Sequence, residues 1–145
     1  MKKNNQGFSL VELAIGLAVI TILILGISVS AGIRDNARVQ AAANSIQTLR
    51  VAAENYLSNG NLSYANLNVT ALQTAKLLPA NFSAVKTNPW GGDFAIAANA
   101  GDNTHFDVVL TSLTQVQADK LASYFNNNAT SSAYDASKSS WSVTF

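Results

Sequence analysis

One carboxylate, Glu12, stands inside an apolar run that extends from Phe8 to Ile33. No other charged residue occurs between Leu13 and Ile33. A charged carboxyl near the centre of a membrane helix costs ~2.5–3.5 kcal/mol, and less near an interface. Two arrangements make the group tolerable. It can snorkel to the headgroup layer, or it can meet an opposite charge and form a neutral pair. An ionisable residue in such a run is a functional candidate whose partner has to be named.

The rest of the chain offers little other chemistry. His105 is the only histidine, so no histidine cluster exists for zinc, and no motif around it suggests a nucleophilic triad. A lone histidine on the outward face of a strand is usually a plain surface residue. Asp93, Asp102, Asn103 and Asp107 fall near two turns and could approach one another, but their spacing matches no EF-type calcium loop. Pro89-Trp90-Gly91-Gly92 is not a phosphate loop, because no Lys-Ser/Thr follows it. There is no cysteine, which excludes disulfide and thiolate chemistry. No catalytic residue, metal or cofactor is expected.

The elements that carry these residues follow from periodicity. At ~1.5 Å per residue the run Phe8–Ile33 makes a helix of ~39 Å, enough for a hydrocarbon core of ~30 Å. Lys2 and Lys3 precede it, which predicts a cytoplasmic N-terminus and export of the rest. The run is too long for the apolar part of a cleaved secretory signal. The helical pattern continues past Ile33: Val39, Ala42, Ile46, Leu49, Ala53 and Tyr56 form one apolar stripe, with Arg50 and Glu54 spaced to pair beside it. Asn59-Gly60 is a stop signal. One helix from Phe8 to about Ser58 is expected, apolar all round in its first half and amphipathic in its second.

Beyond Gly60 a small mixed domain is expected. Val69–Leu78 reads as a short helix capped by Asn68 or Thr70 and ended by Pro79. Thr87–Asp93 is a turn, Phe94–Ala98 a strand, Gly101–Thr104 a second turn, and His105–Leu110 a strand with Phe106, Val108 and Leu110 on one face. Thr111–Phe125 reads as a helix with Leu113, Val116, Leu121 and Phe125 inward and Thr114 a candidate cap. Asn126–Ser140 reads as a loop, and Trp141, Val143 and Phe145 alternate in a final strand. Trp90 and Trp141 read as core anchors. The fold class is α+β, with the three strands laid on the amphipathic half of the long helix.

Charge adds an exclusion. From Arg34 onward, lysines and arginines equal aspartates and glutamates in number, so this part is formally neutral. Neutrality removes the electrostatic footprint of a nucleic-acid binder and leaves little repulsion against self-association.

The stretch Gly7-Phe8-Ser9-Leu10-Val11-Glu12-Leu13, behind a short leader with two lysines, resembles the type IV prepilin processing site. The resemblance implies cleavage between Gly7 and Phe8 by a membrane-embedded prepilin peptidase, removal of residues 1–7, and N-methylation of Phe8. It implies that Glu12 pairs with the N-terminal amine of a neighbouring subunit and so sets the axial register between helices. It also implies the type IV pilin fold: a long N-terminal helix spine packed on a small antiparallel sheet, with additional short helices. Residues 8–33 would be the transmembrane and filament-core half of the helix, and 34–145 the globular head including the amphipathic half, 34–58.

A looser resemblance covers Phe106–Leu121 and Asn88-Pro89-Trp90-Gly91-Gly92, which look like the strand-then-helix segment and turn of type IVb pilins such as the toxin-coregulated group. Ala118 occupies the position where that group places its first cysteine. The C-terminal loop must then be held by packing, with Tyr134 and Trp141 the candidates. The short leader suits the IVa branch better.

The implied function is a structural subunit, not an enzyme. It would be held in the bacterial inner membrane as a precursor, then polymerised with its own copies into an extracellular pilus for adhesion, aggregation or motility. The implied partners are the peptidase and an inner-membrane assembly platform with a cytoplasmic ATPase. Two other readings fit the same residues: a pseudopilin of a type II secretion system, and a monomeric membrane-anchored binding module.

Overall fold

The computed structural model describes residues 10–145, leaving the side chains of residues 22–31 undescribed. The protein divides into two compact units, Met1–Asn36 and Ala37–Phe145.

Helix α1 (Leu10–Ser58) is continuous in backbone and runs through both units. In the first unit its described large apolar side chains, among them Leu10, Val11, Leu13, Ile15, Leu17, Val19 and Ile20, are exposed. In the second unit the expected stripe is buried: Val39, Ala42, Ile46, Leu49, Ala53 and Tyr56, joined by Ala43 and Ala52. Arg50 Nε donates to Glu54 Oε1 at 2.8 Å, the expected i,i+4 pair. The helix ends where Gly60 takes φ +95°, a left-handed conformation glycine adopts without steric cost.

Helix α2 (Val69–Thr74) is capped by Asn68, whose Oδ1 accepts from Ala71 N at 2.8 Å. It is shorter than the expected Val69–Leu78. Lys76 turns left-handed at φ 58°, Lys76 N donates to the Gln73 carbonyl, and Leu77 N donates to the Leu72 carbonyl. That pair of bonds is the Schellman termination, formed here on a lysine rather than a glycine. The helix therefore stops before Pro79 is reached.

The sheet is antiparallel with strand order β1-β2-β4-β3. Strand β1 (Phe94–Ala98) has the expected limits, and β2 (Phe106–Thr111) starts and ends one residue later than expected. Between β2 and β4 (Ser140–Thr144), Leu110 faces Trp141 and Val108 faces Val143, so the alternating apolar residues of both strands share the inner face. Strand β3 (Ser131–Asp135) stands where a loop is expected. Its side chains Ser131–Ala133 are exposed and carry no apolar alternation. It exists because β4 offers a free ladder, with Tyr134 opposite Trp141 and Ser132 opposite Val143.

Helix α3 (Gln115–Phe125) begins later than the expected Thr111. Residues 112–114 are taken up by the exit from β2, in which Ser112 turns left-handed at φ 64° and Leu113 N donates to the Ser139 carbonyl. Thr114 is the N-cap, and Gln117 Oε1 reaches back to accept from its N–H at 2.9 Å. The buried face is Ala118, Leu121 and Phe125, while Val116, expected inward, lies on the opposite side of the helix and is 63 % exposed. Leu113 is buried, but ahead of the helix.

All these elements meet in one core. Its centre is a series of aromatic contacts: Tyr64 against Phe106, Phe106 against Phe145, Phe145 against Phe125, and Phe125 against Trp141, at centroid separations of 4.8, 5.5, 5.8 and 6.2 Å. Trp141 is fully buried, as expected of an anchor, whereas Trp90 is only partly buried and packs against the core from its edge.

Candidate functional site

The N-terminal segment is the candidate site. Of its predicted residues, Gly7 and Phe8 lie outside the described residues. Glu12 lies in the first turn of α1 and is exposed. At a helix start the macrodipole favours a carboxylate. One helical face brings Glu12, Leu13, Gly16, Leu17 and Ile20 together around a shallow apolar depression. Gly16 contributes to it by absence of a side chain, since an added Cβ would meet nothing within 4 Å. The surface that surrounds the acid is thus apolar and uncovered by the protein's own described residues. Among the described residues no helix is long and apolar enough to cross a membrane. The expected span Phe8–Ile33 falls partly outside them.

In the head, the acids considered as cation ligands are each engaged separately. Asp93 Oδ1 accepts from Lys86 N at 2.7 Å. Asp107 accepts from Asn99 Nδ2 at 3.0 and 3.1 Å and from Thr144 Oγ1 at 2.7 Å, tying the start of β2 to β4. Asp102 accepts from the backbone N–H and hydroxyl of Thr104 at 2.8 and 2.7 Å, and lies 3.0 Å from His105 Nδ1. These Thr104 bonds, with the His105 ring beside them, lower the Asp102 carboxyl to about 2. Asn103 serves the fold through its backbone: its carbonyl accepts from Tyr64 N at 3.0 Å. Among the described residues no group of three His, Asp or Glu side chains is placed to hold a metal ion.

His105 sits immediately before β2, not within it, and both Asp102 and Thr104 approach the same ring nitrogen, Nδ1. A hydrolytic triad needs the acid on one ring nitrogen and the hydroxyl on the other. The cluster is a turn clasp instead. A polar groove of about 500 Å³ runs beside it, lined in part by Arg50, Glu54, Tyr64, His105 and Asn128. Arg50 is already committed there: it pairs with Glu54, donates to the Asn128 carbonyl at 3.2 Å, and stacks 4.8 Å over the Phe145 ring. Burial, with the Glu54 carboxylate adding to it, raises the Tyr64 phenol above its usual value.

The expected clamp on the C-terminal loop is present. Tyr134 Oη donates to the Leu113 carbonyl at 2.9 Å, and Tyr134 faces Trp141 across the β3–β4 ladder. Ala118, the position of the absent cysteine, is packed in the core.

In the sequence Asn88 is only one residue of the Thr87–Asp93 turn. It is the one buried polar residue among those described in the head, 4 % exposed. Its Oδ1 accepts from Trp90 N and Gly92 N at 3.0 and 2.9 Å, and its Nδ2 donates to the carbonyls of Thr111 and Asp93 at 2.7 and 3.3 Å. A Cβ at Gly92 would fall on the Thr111 carbonyl, so glycine is required by close approach. The signal available in sequence was the Asn-Pro-Trp-Gly-Gly string itself: a short amide ahead of two glycines can bond back onto the backbone it precedes.

No curated protein matches the sequence. The protein-family model of the prokaryotic N-terminal methylation motif matches residues 2–28, which include Gly7, Phe8 and Glu12. That motif is the prepilin-type signature, and at the head of a long helix joined to an α+β domain it supports a type IV pilin-like protein.

Proposed function

We propose that this protein is a structural subunit of a type IV pilus, cut by prepilin peptidase between Gly7 and Phe8, methylated on Phe8, and polymerised through its N-terminal helix. The observation that carries this reading is the methylation motif over residues 2–28, placed at the start of a helix whose described apolar side chains are exposed from Leu10 to Ile20. Such a surface is stable in water only when something covers it. Lipid covers it before assembly, and identical helices cover it in a filament. Glu12 then meets the Phe8 ammonium of a neighbour, which neutralises two charges that neither subunit buries cheaply alone and selects one axial register. The subunit is a building block rather than a catalyst, held in the inner membrane until an assembly platform with a cytoplasmic ATPase adds it to the surface filament.

Mass spectrometry of the native N-terminus tests this reading. A polypeptide beginning at N-methylated Phe8 is expected. One that still begins at Met1 would refute processing, and with it the pilus assignment. A pseudopilin of a type II secretion system shares the same start and the Pro89-Trp90-Gly91 turn. Shearing separates the two, since surface filaments containing this protein support the pilus, while its confinement to a short periplasmic fibre supports the pseudopilin.

A further inference from the structure

Asn59-Gly60 is the only Asn-Gly step in the sequence. It follows the last residue of α1 directly, and both residues are exposed. The carboxamide of Asn59 makes no hydrogen bond among the described residues. Some other asparagine carboxamides in the head are held: Asn61 Nδ2 donates to the Tyr56 carbonyl, Asn68 caps α2, Asn88 ties its loop, and Asn99 grips Asp107. What sets Asn59 apart from those that make no bond among the described residues, such as Asn55 and Asn81, is the glycine that follows it. Gly60 has φ +95°, and nothing lies within 4 Å of where a Cβ would stand. Its amide N–H makes one bond, to the Leu57 carbonyl at 3.2 Å, in the terminal turn where helices fray.

We propose that Asn59-Gly60 is a spontaneous modification site, at which the folded subunit deamidates through a cyclic imide. The Gly60 amide nitrogen, after losing its proton, attacks Asn59 Cγ. A five-membered ring closes as the new bond from that nitrogen to Cγ forms and the bond from Cγ to Nδ2 breaks. Ammonia leaves, with the proton balance made up from water. A second water then opens the ring at either carbonyl. One opening gives aspartate, and the other gives isoaspartate, in which the backbone runs through the former side chain. The net change is one amide and one water converted to one carboxylate and one ammonium, with no oxidant or cofactor. Glycine at residue 60 is what permits ring closure, because it has no Cβ to crowd the attacking nitrogen and its backbone turns freely.

The site has consequences for the head. A carboxylate at residue 59 stands at the negative end of the α1 dipole, where it is disfavoured. Isoaspartate lengthens the link between α1 and the segment that Asn61 and Tyr64 pin to Tyr56 and Asn103. The modification therefore marks a subunit's age at the junction of helix and domain.

The test uses the full-length protein extracted in detergent, incubated at mildly alkaline pH, digested, and mapped for isoaspartate. Residue 59 is expected to convert before any other asparagine, faster at higher pH. Asn59→Gln, which would need a larger ring, loses the signal there while the head stays folded. Gly60→Ala, if it folds at that left-handed position, loses it as well. Retention of the amide at residue 59 under conditions where the urea-unfolded protein deamidates there would overturn the proposal, as would earlier conversion at Asn127 or Asn128.

Discussion

Replacing Asn88 by alanine removes four hydrogen bonds at once from a residue that contributes no apolar packing. The Gly92 N–H is buried and close-packed against Thr111, so it is left without an acceptor, at ~1–3 kcal/mol. The Trp90 N–H and the carbonyls of Thr111 and Asp93 lose partners in a part-buried setting where water can reach them, at ~0.5 kcal/mol each, the low end for a net hydrogen bond. The expected loss is ~2.5–4.5 kcal/mol, a large share of the ~5–15 kcal/mol that stabilises a typical domain. Asn88→Asp separates the two halves of the residue. It keeps the acceptor for Gly92 and Trp90 but places an oxygen against the Thr111 carbonyl where Nδ2 now donates. It is therefore expected to be at least as damaging as alanine at neutral pH. The assay is urea unfolding of the detergent-solubilised protein, followed by the fluorescence of Trp90 and Trp141. A loss below ~1 kcal/mol for Asn88→Ala would rule out this role for the Asn88 carboxamide, because a buried N–H would then have gone unsatisfied at almost no cost.

Glu12→Gln keeps the shape of the side chain and removes its charge. Incorporation into filaments is expected to fall while the unfolding midpoint of the head stays unchanged, and normal incorporation would sink the ammonium pairing. The lowered carboxyl of Asp102 makes a pH-dependent contribution to the turn before β2, present above the ordinary carboxylate value of 3.8 and lost as pH falls through about 2. NMR titration checks it, with Thr104→Val expected to move the Asp102 midpoint upward. Tyr134→Phe deletes the bond to the Leu113 carbonyl and should cost ~0.5–1.5 kcal/mol, with the loosening seen in amide exchange of β3 rather than of β1.

Much of the head is legible in the sequence because its signals are local. The stripe from Val39 to Tyr56 needs only helical periodicity, and β1 and β2 need only alternation between turn residues. Where the structure departs from that reading, a partner made the decision. Ser131–Asp135 has no strand signal of its own, and it becomes β3 because the edge of β4 is unpaired without it. Val116 cannot share a face with Leu121 and Phe125, since at ~100° per residue it lies about 140–180° around the helix from them. The core takes the face of Ala118, Leu121 and Phe125, and Val116 is left outward. The α2 helix ends on Lys76, a residue that carries no stop signal, because a left-handed lysine completes its last hydrogen bonds.

The N-terminal signature, the end of α1 at Ser58 and the change of that helix from apolar to amphipathic are written into the primary structure. Those properties depend on residue type and on spacing along one polypeptide. Only the tertiary structure decided that Asn88 is the hub of the loop before β1, that Asp93, Asp102 and Asp107 serve three separate hydrogen-bond sets, and that Tyr134 with the β3–β4 ladder holds the C-terminal loop. Each of these rests on groups that the backbone path and the burial of the shared core bring within hydrogen-bond distance, several of them far apart in sequence.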